Sequence, residues 1–289
     1  MPPAPLRLRE VTVCAADSAS PALAARALER SVERCDFGDA VLFTDAAVAG
    51  PFRTVAIEPL RSRADYSRFI LKDLPAHVST PYALVVQWDG YVVDPAAWDP
   101  EFLRYDYIGA KWDWHTDGFT VGNGGFSLRS RRLLDAGVDS RVSLDSGLGE
   151  DKILCRLYRR PLEAQFGMRF APEPVADRFS HERAPPPGPT FGFHGLFNLW
   201  RHEDDASLAA LAAQVPDAIL GAEEYGELLA HCFSRDRLLA SDAFYARLRA
   251  MRSPEEIQAQ LATAIRGADF IARCVRECEA RFASVGREA

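Results

Sequence analysis

Apolar positions follow two different spacings in the first third of the chain. Three short runs, at residues 10–16, 39–45 and 81–90, are apolar and rich in β-branched or aromatic residues, which predicts buried strands. Residues 20–35 and 64–78 instead show helical spacing, the first after a serine and a proline, the second up to Pro75. Strands that alternate with helices predict an α/β fold with a mixed, mostly parallel sheet flanked by helices.

The pattern changes after residue 100. Residues 106–112 and 119–130 predict short strands and glycine-rich loops, residues 149–167 a helix, and residues 168–180 paired strands. A proline-rich connection at residues 181–195 is the predicted mobile loop. From residue 205 onward, alanine and leucine recur at helical spacing. The sequence therefore predicts an α/β domain over residues 1–204 and a helical C-terminal region over residues 205–289.

Composition narrows the classes of function. The formal charge is -7, with 41 acidic against 34 basic residues, so nucleic-acid binding is not expected. No apolar run approaches the roughly 18 residues of a membrane span, and the first residues do not resemble a secretion signal. The six cysteines form no CxxC pair, which predicts reduced thiols and a cytoplasmic location.

Two glycine-bearing stretches carry candidate chemistry in the α/β part. In "QWDG", Asp89 follows a predicted buried strand, where a carboxylate is suited to a divalent cation; capping of the turn is the simpler alternative. In "FTVGNGGFSLRS", Asn123, Gly124 and Gly125 would allow close approach of backbone to a sugar or phosphate. A tight turn between strand and helix explains the same glycines equally well.

Two later stretches add acids and a histidine. In "GLGEDKILC", Glu150 and Asp151 open a predicted helix, where one of them would serve as a general base or simply cap the helix. In "FGFHG", His194 is a candidate metal ligand, although a histidine bonded to backbone is the more common finding. No stretch alone favours a functional site over the structural explanation, and only their order along the chain does.

In that order, the stretches resemble a bacterial family of mostly uncharacterised glycosyltransferases of the GT-A type. The resemblance covers residues 8–199, and the chain is also remotely similar to the animal beta-1,4-galactosyltransferases. It implies a nucleotide-sugar-binding domain, with Mn²⁺ or Mg²⁺ held by Asp89 and His194. Where the family has an acid-x-acid motif this chain has Gln87-Trp88-Asp89, so one metal-binding charge is missing.

The resemblance also implies roles for the remaining residues. It makes Asp151 the general base, with Glu150 as second choice, and it assigns the donor and acceptor sides of the site. The donor side comprises Arg68, Gln87, Trp88 and Asp89, and the acceptor or sugar side comprises Trp112, Asn123, Gly124 and Gly125.

The implied activity is metal-assisted transfer of a sugar, with inversion, from a nucleotide-diphosphate donor to an acceptor hydroxyl. A UDP-sugar is the favoured donor, and the acceptor is a saccharide, a lipid-linked compound, a protein or a small molecule, as in bacterial polysaccharide or glycoconjugate synthesis. Two alternatives stay open: a metal-dependent hydrolase of nucleotide sugars or phosphodiesters, and a non-catalytic module that binds glycans or partners. The helical region is a candidate for self-association or partner binding.

Overall fold

The first apolar run forms the central strand of a six-stranded sheet. The computed structural model describes residues 5–288. The strands of the sheet are β1 (Leu6–Ala16), β2 (Cys35–Thr44), β3 (Arg53–Ala56), β4 (Tyr82–Val86), β5 (Tyr107–Ile108) and β6 (Phe126–Ser130). Their order is β3-β2-β1-β4-β6-β5, and β3, β2, β1 and β4 are parallel. Strand β6 is antiparallel to β4 and β5, so the predicted mixed, mostly parallel sheet is confirmed.

The strand order reverses between β1 and β4. From β1 the chain adds β2 and then β3 on one side, and it returns to pair β4 on the other side of β1. In open α/β sheets such a reversal leaves a crevice outside the carboxyl ends of the two strands, and ligands bind there. Here that crevice lies beside Ala16 of β1 and Gln87, which follows β4.

Helices cover both faces of the sheet. On one face, Val13 and Leu84 pack in a buried cluster with Leu28 of the first helix. On the other, Cys14 and Val85 pack with residues that follow the second helix. Neighbouring residues of β1 and β4 thus point to opposite faces, as the pleat requires. The helices of this part are α1 (Pro21–Val32), α2 (Arg63–Arg68), α3 (Arg131–Val138), α4 (Glu150–Lys152), α5 (Arg159–Phe166) and α6 (Glu173–Phe179).

Two predicted helices are interrupted. The helix predicted over residues 64–78 is α2, followed by a π-helical turn at Phe69–Asp73 and a 3₁₀ turn at Leu74–His77 that contains Pro75. The helix predicted over residues 149–167 is α4 and α5, joined by a π-helical turn at Ile153–Leu157. Such π turns often occur at functional sites.

The prediction of paired strands over residues 168–180 is wrong for most of its length. Residues 173–179 form helix α6, which Pro174 favours because proline suits the first turn of a helix. Only Ser180–His181 forms a strand, β7, and it pairs in parallel with β8 (Gly192–Phe193). The proline-rich connection joins β7 to β8 and leads the chain to His194.

The chain divides into two compact units, residues 1–194 and residues 195–289. The second unit is helical, as predicted, with α7 (Asp205–Ala212), α8 (Glu223–Phe233), α9 (Leu238–Arg249), α10 (Pro254–Ala264) and α11 (Ala268–Glu288). The domain boundary predicted after residue 204 stays a prediction. Within residues 5–288, no helix has both the length and the apolar character that crossing a membrane requires.

Candidate active site

A cavity of about 310 Å³ lies at the carboxyl end of β4 and the amino end of β6. It brings together most of the residues that the four stretches predicted, and we call it the acid cavity. Its lining residues are Arg63, Tyr66, Gln87, Trp112, Trp114, Asn123, Gly124, Gly125, Gly149, Glu150, Asp151, Lys152, Glu182 and His194. The stretches from residues 87, 123, 150 and 194 therefore meet at one place, although they are separated along the chain.

The glycine turn ahead of β6 makes room for side chains of this cavity. A Cβ atom on Gly124 would lie 2.1 Å from Oε1 of Glu150, and one on Gly125 would lie 2.1 Å from Nε2 of His194. Asn123 has a φ of 62°, a left-handed conformation that asparagine tolerates better than most residues. The glycines thus allow other groups to lie close to the backbone, and these groups are the side chains of Glu150 and His194 rather than a ligand.

His194 is the point at which several polar groups converge. Its Nε2 lies 3.3 Å from Oδ1 of Asp89 and 3.1 Å from Oε1 of Gln87. Its Nδ1 lies 3.0 Å from Oε1 of Glu182 and 3.0 Å from Nδ2 of Asn123. Burial lowers the pKa of His194, but the charges and hydrogen bonds of the Asp89 and Glu182 carboxylates outweigh it, and the pKa lies well above its usual value. The two carboxylates therefore favour the protonated form of the imidazole.

The donor set at Nε2 of His194 suits a divalent cation. The Asp89 carboxylate, the Gln87 amide oxygen and the imidazole nitrogen lie side by side, and all three are ligands that Mn²⁺ accepts. Among the described residues, no cluster of three or more His, Cys, Asp or Glu side chains is placed to hold a metal. A cation here would take two such protein ligands and one neutral amide, and it would have to displace the imidazole proton.

Glu150 belongs to a buried ion pair. Its Oε1 accepts a hydrogen bond of 2.6 Å from Nη2 of Arg129, and the two residues are 4% and 0% exposed. Arg129 comes from the middle of β6, donates to Oγ of Ser127 and lies 5.4 Å from the ring centroid of Tyr107. Because its carboxylate is committed to Arg129, Glu150 is suited to hold the turn in place rather than to accept a proton from a substrate.

Asp151 has the properties of a base. It lines the cavity, and its Oδ1 accepts a hydrogen bond of 2.7 Å from the Lys152 amide. Burial, together with the negative charge of Glu150, raises the pKa of Asp151 to about 6. A carboxylate with a pKa near 6 is ionised at neutral pH and is a stronger base than an exposed aspartate. Of the two adjacent acids, Asp151 is therefore the candidate for proton transfer, since Glu150 is engaged by Arg129.

A second cavity, of about 280 Å³, occupies the crevice between β1 and β4, and we call it the switch-point cavity. Arg63, Tyr66 and Gln87 line both cavities. The other walls of the switch-point cavity come from Ala16, Asp17, Ser18, Ala19, Leu60, Ser62 and Trp88. Burial raises the pKa of Asp17 at the end of β1, against the lowering effect of hydrogen bonds from the Ser20 and Ala19 amides.

Arg68 lies outside both cavities. It is ion-paired with Asp73 at 3.3 Å and lines a separate depression. The arginine that the same helix directs to the cavities is Arg63, at its first residue after the Ser62 cap. Sequence reasoning missed Arg63, Tyr66, Asp17 and Glu182. The signal for Arg63 was its place at the start of a helix, where the chain lies close to the carboxyl edge of a parallel sheet.

Two tryptophans border the acid cavity. Trp112 is 3% exposed, and its ring fills the space that a Cβ atom on Gly122 would need. Trp114 is 53% exposed and its ring centroid lies 6.2 Å from that of Trp112. Nη1 of Arg156 bonds to Asp117 and to the Phe119 carbonyl, and so ties down the loop that carries both tryptophans.

Comparisons with known proteins give a limited result. A family described as "Protein of unknown function (DUF5672)" matches residues 51–194, a segment that holds β4, β6, the acid pair and His194. No curated protein is significantly similar to the sequence. Among solved structures, the chain is similar to a glycosyltransferase involved in glycosylation of the major capsid of PBCV-1. The identity is 13% and the TM-score 0.38, over 64% of this chain and 91% of the other. A likeness of this size does not establish a shared activity.

Proposed function

We propose that this protein is a glycosyltransferase that moves a sugar from a nucleotide-diphosphate donor to an acceptor hydroxyl. One observation carries the proposal. The oxygens of Asp89 and Gln87 converge on His194 at the carboxyl end of β4, and His194 lines the same cavity as Asp151, a carboxylate with the pKa of a general base. A group that stabilises a leaving diphosphate and a base that activates a hydroxyl are the two parts that this transfer needs.

The nucleotide would occupy the switch-point cavity and the sugar the acid cavity. Arg63 and Tyr66 line both, so they would contact the diphosphate where the two cavities meet. The guanidinium of Arg63 provides a fixed positive charge with donors that match phosphate oxygens. Trp88 in the switch-point cavity and Trp112 and Trp114 beside the acid cavity offer apolar surfaces to a base or a sugar ring. A UDP-sugar is the donor we favour.

Asp89, His194 and the Gln87 carbonyl would hold Mn²⁺ or Mg²⁺, which when bound supplies Lewis-acid stabilisation of the departing diphosphate. Asp151 would accept the proton of the acceptor hydroxyl as that oxygen attacks the anomeric carbon. A single displacement of this kind inverts the configuration. Glu150 would keep Asp151 in position through its bond to Arg129, and Asn123, Gly124 and Gly125 would shape the acceptor side.

The test is donor turnover by the purified chain. UDP-, GDP- and dTDP-sugars would be supplied with Mn²⁺, Mg²⁺ or EDTA and with a panel of saccharide acceptors, and release of nucleoside diphosphate would be followed with time. We expect release from one donor class, stimulated by acceptor and lost in Asp89→Ala and Asp151→Asn. Thermal stabilisation by the free nucleotide would be measured in parallel.

Two other outcomes would replace the proposal. Release that proceeds equally fast without any acceptor, with free sugar as product, would identify a metal-dependent hydrolase. Absence of release, together with no thermal shift from any nucleotide, would identify a binding module for glycans or partners. A cytoplasmic location is part of the proposal, and the six buried free thiols support it.

A further inference from the structure

A cavity of about 450 Å³ lies at the other end of β4 and β6, and we call it the arginine cavity. Strand pairing fixes its position. Tyr82 pairs with Ser130 at this end, whereas Val86 pairs with Phe126 next to the acid cavity. Its lining residues are Pro81, Tyr82, Leu103, Arg104, Tyr105, Asp106, Ser130, Arg131, Arg132 and Arg169. Four arginines therefore line one cavity together with one acidic residue, in a chain whose formal charge is -7.

The single carboxylate is already engaged. Asp106 is 5% exposed, and it accepts hydrogen bonds of 2.5 Å from Oγ of Ser130 and 2.8 Å from the Arg169 amide. Nη1 of Arg132 lies 3.6 Å from its Oδ2. Asp106 thus links Ser130, Arg132 and the backbone of Arg169 in the lining of the cavity. Its charge is therefore little able to neutralise the remaining arginines.

Two of the four arginines hold the wall together. Arg131 bonds to the Pro75 carbonyl at 3.0 Å and to Asp135 at 2.8 Å. Arg132 donates to the Phe166 carbonyl at 3.0 Å in addition to its contact with Asp106. These bonds fix the position of two positive charges of the cavity lining before any ligand arrives.

The other two arginines are available to a ligand. Arg104 and Arg169 are exposed, and within residues 5–288 neither forms an ion pair with a carboxylate side chain. The guanidinium of Arg169 lies 5.4 Å from the ring centroid of Tyr105, a contact that limits its freedom. Like charges that line one cavity repel one another, and a bound anion would relieve that repulsion.

We propose that the arginine cavity binds phosphate groups through Arg104 and Arg169, and that Arg132 adds to the positive electrostatic potential of the cavity. Guanidinium groups match phosphate oxygens in paired hydrogen bonds, and a phosphate with two negative charges can engage two of them at once. Leu103, Pro81 and the ring of Tyr105 provide an apolar wall for an attached organic group. The ligand is a phosphate-bearing compound, either free or part of a saccharide chain. The proposal does not depend on the transferase activity.

The test is titration calorimetry of the full chain with pyrophosphate, at constant ionic strength and with EDTA present. We expect a site in the wild type whose Kd is at least tenfold higher in Arg104→Gln/Arg169→Gln. Both side chains are exposed, so the variant should fold, and a melting curve checks this. The matched control is Arg273→Gln/Arg276→Gln, two exposed arginines of α11, which should bind like the wild type.

Additional titrations distinguish a phosphorylated saccharide from a free phosphate compound, and they show at which end of the sheet the phosphate binds. A sugar phosphate that binds more tightly than pyrophosphate would identify a phosphorylated saccharide, and the reverse order a free phosphate compound; both support the site. Arg63→Gln removes the diphosphate contact proposed for the switch-point cavity, so binding that persists in this variant belongs to the arginine cavity. The proposal fails if the wild type does not bind pyrophosphate, if the Arg104→Gln/Arg169→Gln variant binds it with unchanged affinity, if no binding persists in Arg63→Gln, or if citrate binds as well as pyrophosphate.

Discussion

The two ends of the β4–β6 strand pair use charge in opposite ways. At the acid cavity, charges are buried and matched, as in the Arg129–Glu150 pair and in His194 between two carboxylates. At the arginine cavity, four arginines and one acid line the surface, and three of the arginines, Arg104, Arg132 and Arg169, are exposed. Buried charges depend on the geometry of their partners, whereas exposed ones are screened by water. Substitutions should therefore be severe at the first end and mild at the second.

The largest effect is expected at Asp151. Asp151→Asn removes the proposed base and keeps the volume of the side chain, so turnover should fall by about 10² to 10⁴-fold with little change in melting temperature. Turnover is measured as the rate of nucleoside diphosphate release. Asp145→Asn, in the exposed loop just before, is the control and should retain full activity. Equal rates in the two variants would remove Asp151 from the mechanism.

The pH profile of the wild type sharpens the same prediction. Because the pKa of Asp151 is raised to about 6, the base is ionised above that pH and protonated below it. Activity should therefore fall about tenfold for each unit of pH below 6 and level off above it. A profile that stays flat down to pH 4 would contradict the assignment.

Glu150→Gln should cost the most stability. It leaves Arg129 as an uncompensated charge inside the sheet, and breaking a buried pair in this way typically costs about 3 to 5 kcal/mol. Denaturant unfolding measures the free energy. The matched variant is Asp135→Asn, which breaks the exposed Arg131–Asp135 pair at the other end of β6 and should cost less than about 1 kcal/mol. Similar losses in the free energy of unfolding of the two variants would contradict the expectation that buried charges at one end of β6 matter more than exposed charges at the other.

Gly125→Ala should have an intermediate effect. The added Cβ would meet Nε2 of His194 at 2.1 Å, so the imidazole or the turn must shift. We expect a loss of about 1 to 3 kcal/mol of stability, as for other overpacked sites, and a larger fractional loss of turnover. Gly188→Ala is the control, since nothing lies within 4 Å of its Cβ position. Full activity in Gly125→Ala would mean that the position of His194 is unimportant.

The smallest effect distinguishes two arginines of one helix. Arg63→Gln should weaken nucleotide binding by roughly tenfold, the loss of one charge-assisted contact to phosphate. Arg68→Gln should leave binding unchanged, because Arg68 is paired with Asp73 away from both cavities. Titration of both variants with nucleotide shows which of the two arginines contributes to binding. A stronger effect at Arg68 would restore the donor role that the sequence resemblance implied.

The fold could be predicted where local pattern and tertiary packing agree. The runs that form β1, β2 and β4 are apolar because they are covered on both faces, so periodicity alone identified them. Residues 168–180 misled the prediction because alternating apolar positions can also satisfy one face of a short helix. The π turn at Ile153–Leu157 left no sequence signal, since it depends on how the flanking segments pack.

The members of the site could be predicted from the sequence, because the order of Asp89, Asn123, the acid pair and His194 sufficed to bring them together. The roles of Asp151 and Glu150 came from the sequence resemblance and stay predictions. The ion pair of Glu150 with Arg129 was not predictable, because it depends on a cation from a buried strand. Glu182 was missed for a similar reason: only the pairing of β7 with β8 brings it to His194.

The Arg129–Glu150 pair also affects which parts of the molecule unfold together. It ties the centre of β6, whose Leu128 pairs with Leu84 of β4, to the first turn after Gly149. In native-state hydrogen exchange, the Ile153 amide, which donates to the Gly149 carbonyl, should therefore exchange as slowly as the amides of β6 and through the same global unfolding. The segment that carries Asp151, the proposed base, would then belong to the last part of the protein to unfold, so the cell's proteases would find it no more exposed than the sheet itself.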